Sequence, residues 1–359
     1  MSFTRKSRGG VSCIAVVKLA SLGDVIQASH VLPLLKEYGY VVHFYTSKSC
    51  TPVLEHNPYV DRVFALANVG GSIRESLLGL LSLLWHMLWH QYKRVLLLHR
   101  SPILSFVLWL AGKKTVGFYH KEKNPFLFQK IYFNLSAHRM EHNHEMLSQA
   151  LGITQKNYNM VYFCTKEEKR WAQELLKPSK KYRYLALNAG GAVNLQSSMP
   201  SRRYPPQSYA EVLNKLAQEF PKYVFVFLGA KTDLAIHKEI MDKLSPQAKH
   251  LDFTGKLSIR QSAALLSACH VYIGNDSFLL FVAIALGIKS FGIFGPTKGE
   301  LIMPTLPHCR FIQATHPLSG CYNPTEGTKG LAYQEEAMGI MRALRPIDVY
   351  RSLRAFLKE

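Results

Sequence analysis

A carboxylate at residue 24 stands where it could take a proton. The run Val17-Lys18-Leu19-Ala20-Ser21-Leu22-Gly23-Asp24 passes from a β-branched apolar stretch, through small residues, to the start of a helical pattern. Backbone N–H groups at such a helix start can approach an anion or a sugar closely. Asp24 has an ordinary role there, as a helix cap. Its other role is a base at the mouth of a cleft, able to deprotonate an attacking hydroxyl. A second constellation is Asn188-Ala189-Gly190-Gly191-Ala192, followed by Ser201-Arg202-Arg203-Tyr204-Pro205-Pro206. A glycine turn with two arginines shortly beyond it suits a diphosphate, because the planar guanidinium pairs with two phosphate oxygens at once. The ordinary role of such arginines is a solvated surface. A third, Gly274-Asn275-Asp276-Ser277, separates an apolar strand from a helical run, so Asp276 and Ser277 can cap the helix while its amides face a phosphate. Phe294-Gly295-Pro296-Thr297 ends the next strand, where a base or ribose could lie. Each of these turns is also ordinary turn chemistry.

The elements that must hold these residues alternate. Strands are expected at 13–18, 41–45, 63–65, 95–98 and 115–117, with helices at 24–38, 51–57 and 74–92 and an apolar helix after 98. A polar, Lys-rich stretch at 165–183 interrupts the pattern. It then restarts with strands at 184–188, 223–228, 271–273 and 290–294 and helices at 208–220, 233–244, 259–268, 279–286 and 347–357. Strand and helix at this spacing predict parallel sheets covered on both faces. Two such domains in tandem are expected to place a ligand cleft at the carboxyl edges of their sheets.

Composition bounds the function. The 359 residues suffice for two domains, and 48% hydrophobic against 19% charged residues excludes a disordered chain. The net charge of +20 is spread along the chain, with 17 Lys/Arg against 8 Asp/Glu up to residue 150 and 27 against 16 beyond it. Such a surface attracts polyanions: nucleic acid, anionic lipid headgroups or phosphorylated saccharides. Without a basic recognition helix, zinc spacing or RNA-binding aromatic pattern, nucleic acid is not the expected partner. Six scattered cysteines without a CxxC pair predict reduced thiols in a cytosolic protein. The basic start, MSFTRKSRGG, leads into a strand rather than a signal peptide. The apolar segments 77–89 and 103–111 fall short of the roughly 18–20 residues that span a bilayer. Trp85, Trp89 and Trp109 are expected in the core, although Lys93 and Arg94 beside them leave contact with a membrane surface open.

The order of motifs is more specific than any one of them. V-K-L-A-S-L-G-D-V, G-G-A with R-R-Y-P-P, D-F-T-G-K-L-S-I-R-Q-S-A-A-L-L-S-A-C-H-V-Y-I-G-N-D-S and A-L-G-I-K-S-F-G-I-F-G-P-T together resemble the heptosyltransferases of glycosyltransferase family nine. The resemblance runs from about residue 13 to 357. It implies an α/β chain of GT-B fold, with two Rossmann-like doubly wound domains facing across a cleft. Residues 1–165 would bind acceptor, 166–183 would be a linker, and 184–345 would bind nucleotide sugar. Residues 346–359 would form a helix crossing back to the first domain. The implied reaction is inverting and metal-independent transfer of heptose from ADP-heptose to the lipopolysaccharide inner core, with no cofactor. By that likeness Asp24 is the catalytic base, and Arg202 steadies the departing diphosphate. Gly190, Gly191, Arg203, Asp276, Ser277, Pro296 and Thr297 would bind donor, and Lys18, Ser21, Gly23, His99 and Arg100 would bind acceptor. No D-x-D triplet is present, in keeping with chemistry in which arginine, lysine and a helix N-terminus stabilise the leaving group. The partners implied are a nucleotide sugar and an acidic, lipopolysaccharide-type acceptor at the inner face of the cytoplasmic membrane.

The chain departs from the family at two places. Where the family has Gly and, three residues on, His, this chain has Phe278 and Phe281. His99-Arg100 replaces an Asp-x-Gln pattern. Glycine lets a phosphate approach the backbone, so a phenyl ring at 278 narrows that approach. These departures keep two other readings in view: a relative using another nucleotide sugar, and a non-catalytic glycan- or partner-binding module.

Overall fold

The computed structural model describes residues 12–68, 72–121, 124–177, 181–191, 193–194, 197–322 and 335–359. The basic start MSFTRKSRGG, together with Val11, therefore lies outside the described residues. The chain divides into two compact units, Met1–Asn157 and Tyr158–Glu359.

The first unit runs β1 (Cys13–Val17), α1 (Leu22–Ala28), α2 (Val31–Glu37), β2 (Val41–Ser47), β3 (Arg62–Leu66), α3 (Ile73–Trp89), β4 (Arg94–Leu97), α4 (Pro102–Leu110), β5 (Thr115–Tyr119), β6 (Gln129–Tyr132) and α5 (Arg139–Leu151). Its six strands lie in the order β3-β2-β1-β4-β5-β6, and every pairing is parallel. This is the doubly wound order in which ligands bind beyond the carboxyl ends of the strands, where the order reverses. Here that point lies between β1 and β4, with Val17 paired to Leu97. The single helix expected over 24–38 is two helices. At the junction Ser29 Oγ donates to the Ile26 carbonyl at 2.6 Å, and the His30 ring bonds the Gln27 carbonyl at 2.6 Å. These side chains engage the carbonyls that a continuous helix would use, which ends α1.

The second unit runs α6 (Lys166–Leu176), β7 (Arg183–Asn188), β8 (Val193–Asn194), β9 (Ser197–Ser198), α7 (Pro206–Glu219), β10 (Tyr223–Phe227), α8 (Leu234–Met241), β11 (His250–Asp252), α9 (Ile259–Ser267), β12 (Val271–Asn275), α10 (Phe278–Ala285), β13 (Lys289–Phe294), β14 (Cys309–Gln313), α11 (Glu335–Arg342) and α12 (Pro346–Lys358). Its large sheet has the order β11-β10-β7-β12-β13-β14, again parallel throughout, and reverses between β7 and β12. The two sheets therefore repeat one topology. The motif turns at 18–24, 188–191 and 275–277 all fall at switch points.

Two segments differ from the expected domain plan. The stretch 166–183 is not simply a linker, because α6 belongs to the second unit. Thr165 Oγ1 and Glu168 form a reciprocal cap at its start, and Ala172 and Leu176 are buried. Arg260 of α9 grips Glu168 with both Nε and Nη2 at 2.6 Å. The final helix, expected to cross back to the first domain, puts Val349, Leu353 and Phe356 into the core of the second unit. The spacing of these three residues makes one apolar stripe, and that stripe finds its cover on α7 and β14. That core also contains Tyr209, Phe225, Phe227, Ile273 and Phe291, all fully buried. The first unit's core, around Val17, Tyr45, Leu83, Leu97 and Leu108, packs α3 and α4 onto one face of its sheet.

Candidate active-site residues

In the first unit the site grows from the turn after β1. Lys18 N–H donates to the Tyr45 carbonyl at 3.0 Å and Leu98 N–H to the Val17 carbonyl at 3.0 Å, which sets Lys18 and His99 on neighbouring strand ends. The Ala20–Ser21 peptide in this turn is cis. Asp24 occupies the first turn of α1, where its Oδ2 accepts from Ser21 N–H at 3.0 Å and from Ser21 Oγ at 3.3 Å. Gly23 precedes it in the same turn. Thus Asp24 does cap the helix, yet its side chain is still 36% exposed. Lys18 Nζ lies 4.0 Å from Oδ2, and Arg139, the first residue of α5, puts Nη1 3.9 Å from Oδ1.

Charge and burial set the protonation states. Burial alone would raise the Asp24 carboxyl, but Lys18, Arg139 and the Ser21 N–H outweigh it and hold the group below the ordinary carboxylate value. Burial lowers Lys18; Asp24 opposes that shift, while Arg139 and Arg100 add to it. His99 is pushed down to about 4, first by burial and then by Lys18, so it is neutral at pH 7. Its buried Nδ1 has no partner among the described residues. Arg100 lies over the Phe133 ring, 4.6 Å from its centroid. Lys18, Ser21, Gly23, Asp24, His99 and Arg100 are therefore brought together. Arg139 joins them, and sequence reasoning missed it because only the fold of α5 carries it to the end of β1.

In the second unit Asn275 ties the turns together. Its Nδ2 donates to the carbonyls of Ala189 (2.7 Å) and Gly190 (3.2 Å), and its Oδ1 accepts from Tyr204 N–H and Tyr209 OH. Arg202 Nη1 donates to Asp276 Oδ2 at 3.0 Å, and Thr297 Oγ1 donates to the same oxygen at 2.8 Å. Both partners of the ion pair are largely buried, at 16% and 8% exposure. Arg202 Nε points to Met199 Sδ, and Nη2 has no protein partner among the described residues. The Arg202 guanidinium also stands 5.5 Å from the Tyr322 ring centroid. Pro296 accepts the Tyr322 N–H at 2.9 Å, so Arg202, Asp276, Pro296 and Thr297 form one neighbourhood. Ser277 stands at the N-terminal boundary of α10 directly beside it, where its hydroxyl makes no hydrogen bond to the helix, and Gly191 lies close against its side chain.

Arg203 is placed differently from its neighbour. Its Nε and Nη2 both bind the Gly191 carbonyl, at 3.1 and 2.9 Å, so it holds the glycine turn in shape. Gly191 has φ +76°, which glycine adopts without strain. A residue the motifs did not reveal, Asp233, organises the same turn. This buried carboxylate accepts from Gly191 N–H at 3.0 Å, Ala230 N–H at 2.9 Å and Asn188 Nδ2 at 3.2 Å. A Cβ at Gly190 would stand 2.1 Å from Asp233 Oδ1 and 2.7 Å from its Cβ. Gly190→Ala is therefore expected to expel that carboxylate and lower the unfolding free energy by about 3 kcal/mol. Urea titration checks this, and an unchanged midpoint would refute it. Phe278 is half-buried in the first turn of α10, and Phe281 is buried at 2% exposure. Among the described residues no three His, Cys, Asp or Glu side chains gather into a metal-binding set.

Comparison with known proteins follows the same outline. Residues 81–326 match the profile of glycosyltransferase family 9 (heptosyltransferase). The chain is 24% identical over 298 residues to lipopolysaccharide heptosyltransferase 1 of Campylobacter coli, covering 79% of this chain and 84% of that one. Among solved structures, a family 9 glycosyl transferase from Veillonella parvula superposes with a TM-score of 0.76 at 21% identity, over 96% of this chain and 97% of that one. The E. coli ADP-heptose lipopolysaccharide heptosyltransferase II superposes with a TM-score of 0.72 at 20% identity, over 96% and 98%. At these identities the superpositions establish the fold class, GT-B, with each unit Rossmann-like.

Proposed function

The chain belongs to glycosyltransferase family 9, and on that premise we propose that it moves heptose from ADP-heptose to the lipopolysaccharide inner core, with inversion and without a metal ion. It is a glycosyltransferase, and its family acts in lipopolysaccharide biosynthesis. The observation that carries the finer reading is the state of Asp24: ionised, exposed enough to meet a hydroxyl, and set at the sheet's switch point between two cations.

In the proposed reaction an acceptor hydroxyl gives its proton to Asp24 as its oxygen attacks the anomeric carbon. The bond from that carbon to the diphosphate oxygen breaks on the opposite face, and ADP departs with the bonding pair. A single displacement of this kind inverts the anomeric centre. Arg202, through Nη2, and the N-terminus of α10 neutralise charge on the departing diphosphate. Lys18, Arg100 and Arg139 suit the acidic groups of the acceptor, while neutral His99 offers a hydrogen bond without adding charge.

Isothermal titration with ADP, ADP-heptose, UDP and GDP tests the donor. Heat is expected with ADP and ADP-heptose only, and it should be lost in Arg202→Ala. Phe278, at the first turn of α10, favours a second reading in which another nucleotide sugar is used. Binding of UDP or GDP in place of ADP would establish that reading. No binding of any nucleotide by the wild type, with recovery in Phe278→Gly, would mean that the donor site is closed, and would reject both.

A further inference from the structure

Eleven of the eighteen exposed large hydrophobic side chains found among the described residues lie on two helices, α3 and α4. Leu77, Leu81, Trp85 and Trp89 on α3 are 56%, 52%, 60% and 70% exposed, and Phe106 and Trp109 on α4 are 41% and 54% exposed. α3 fully buries only Gly79, Leu83 and Met87. A surface helix ordinarily turns polar residues outward, whereas α3 is apolar on both faces. The two helices pack side by side, so their outer faces form one continuous apolar surface. Trp85 and Trp89 lie ring to ring at 5.5 Å, and Phe106 stacks on Trp109 at 6.0 Å. An apolar surface of this kind marks an interaction site.

Charge decides what covers it. Lys93 and Arg94 follow the end of α3, and Lys114 follows the end of α4. Arg94 and Lys114 stand 5.2 and 5.7 Å from the centroid of Phe128, whose ring is 58% exposed. Aromatic and aliphatic side chains flanked by cations match a bilayer surface: the apolar face enters the headgroup–acyl boundary, and the cations meet lipid phosphates. A second copy of the chain fits less well, because a two-fold contact through this face brings like charges together. Among the described residues no helix is long and apolar enough to cross a membrane, so this face would lie on the bilayer rather than span it.

We propose that the outer face of α3 and α4 is a docking surface for an anionic lipid bilayer. α4 begins two residues after Arg100, so the docked face starts at the sheet edge that carries Asp24, His99 and Arg100. The inference goes beyond the transfer reaction and holds whichever nucleotide sugar is used.

Co-sedimentation of the full chain with phosphatidylcholine vesicles, with and without phosphatidylglycerol, tests it. The wild type is expected to partition onto the phosphatidylglycerol vesicles and to be released by salt. Trp85→Gln/Trp89→Gln/Trp109→Gln should weaken that partition by at least about tenfold. Lys93→Gln/Lys114→Gln should weaken it on anionic vesicles and flatten its salt dependence. Unchanged melting temperatures and nucleotide titrations show that the variants remain folded. Wild type that stays in the supernatant, or variants that bind as well as wild type, would overturn the proposal. So would a lipid-free dimer by light scattering that the tryptophan variant converts to monomer, since the face would then be a contact between copies. Loss of nucleotide binding with vesicle binding retained would reject the donor reading alone.

Discussion

Asp24→Asn is expected to slow transfer about 10²–10⁴-fold while the protein remains folded. Asparagine keeps an oxygen that can accept the Ser21 N–H now bound at 3.0 Å, so the first turn of α1 retains its cap. What it loses is the lone pair that receives the acceptor's proton. Turnover measured beside a thermal melt separates the two effects, and an active Asp24→Asn protein would remove Asp24 from the mechanism. The pH dependence is part of the same expectation. Lys18, Arg139 and the Ser21 N–H outweigh burial and hold the carboxyl below its ordinary 3.8, so base function should persist from neutral pH down to that value. The acid limb then appears as the pH falls through the folded-state value. The stability this group contributes has the same sign: it is present above the unfolded-state value and lost as the pH falls through the lower folded one. Arg139→Gln removes one of the cations and should move the acid limb upward.

Arg202→Met should damage both stability and transfer, and a second substitution should separate them. The Arg202–Asp276 pair is 3.0 Å apart and largely buried. Removing the guanidinium leaves the Asp276 carboxylate with the Thr297 hydroxyl but no cation, at an expected cost of about 3–5 kcal/mol in unfolding free energy. Adding Asp276→Asn removes the stranded charge and should recover most of that stability. Transfer should not recover. A leaving diphosphate without Arg202 should cost about 10²–10³ in turnover in both variants. If the double variant regained activity together with stability, Arg202 would be a structural partner of Asp276 only.

How far such roles could be read from the residues varies with how local they are. The strand, small-residue turn and helix start around Asp24 were legible because they depend on neighbours within a few positions. The same is true of Gly274 to Ser277. The alternation of apolar strands and helices likewise pointed to parallel sheets. The break between α1 and α2 was not legible, because it depends on Ser29 and His30 bonding carbonyls that a helix could equally have used. Nor was α6, whose polar composition resembles a linker until Arg260 of α9 takes hold of Glu168.

The family, the doubly wound class and most of the residues now found at the two switch points follow from residue type, order and spacing, which are properties of the chain. Which of those residues become neighbours depends on the folded chain. It brought Arg139 of α5 to within 3.9 Å of Asp24, across more than a hundred residues of chain. It also gave two adjacent arginines different tasks, Arg202 on Asp276 and Arg203 on the Gly191 carbonyl. It turned the tryptophans of α3 and α4, expected in the core, toward the outside. The physical reason is common to all three. Hydrogen bonds, ion pairs and burial are set by distances in space, and the sheet order that fixes those distances is settled by packing among distant segments.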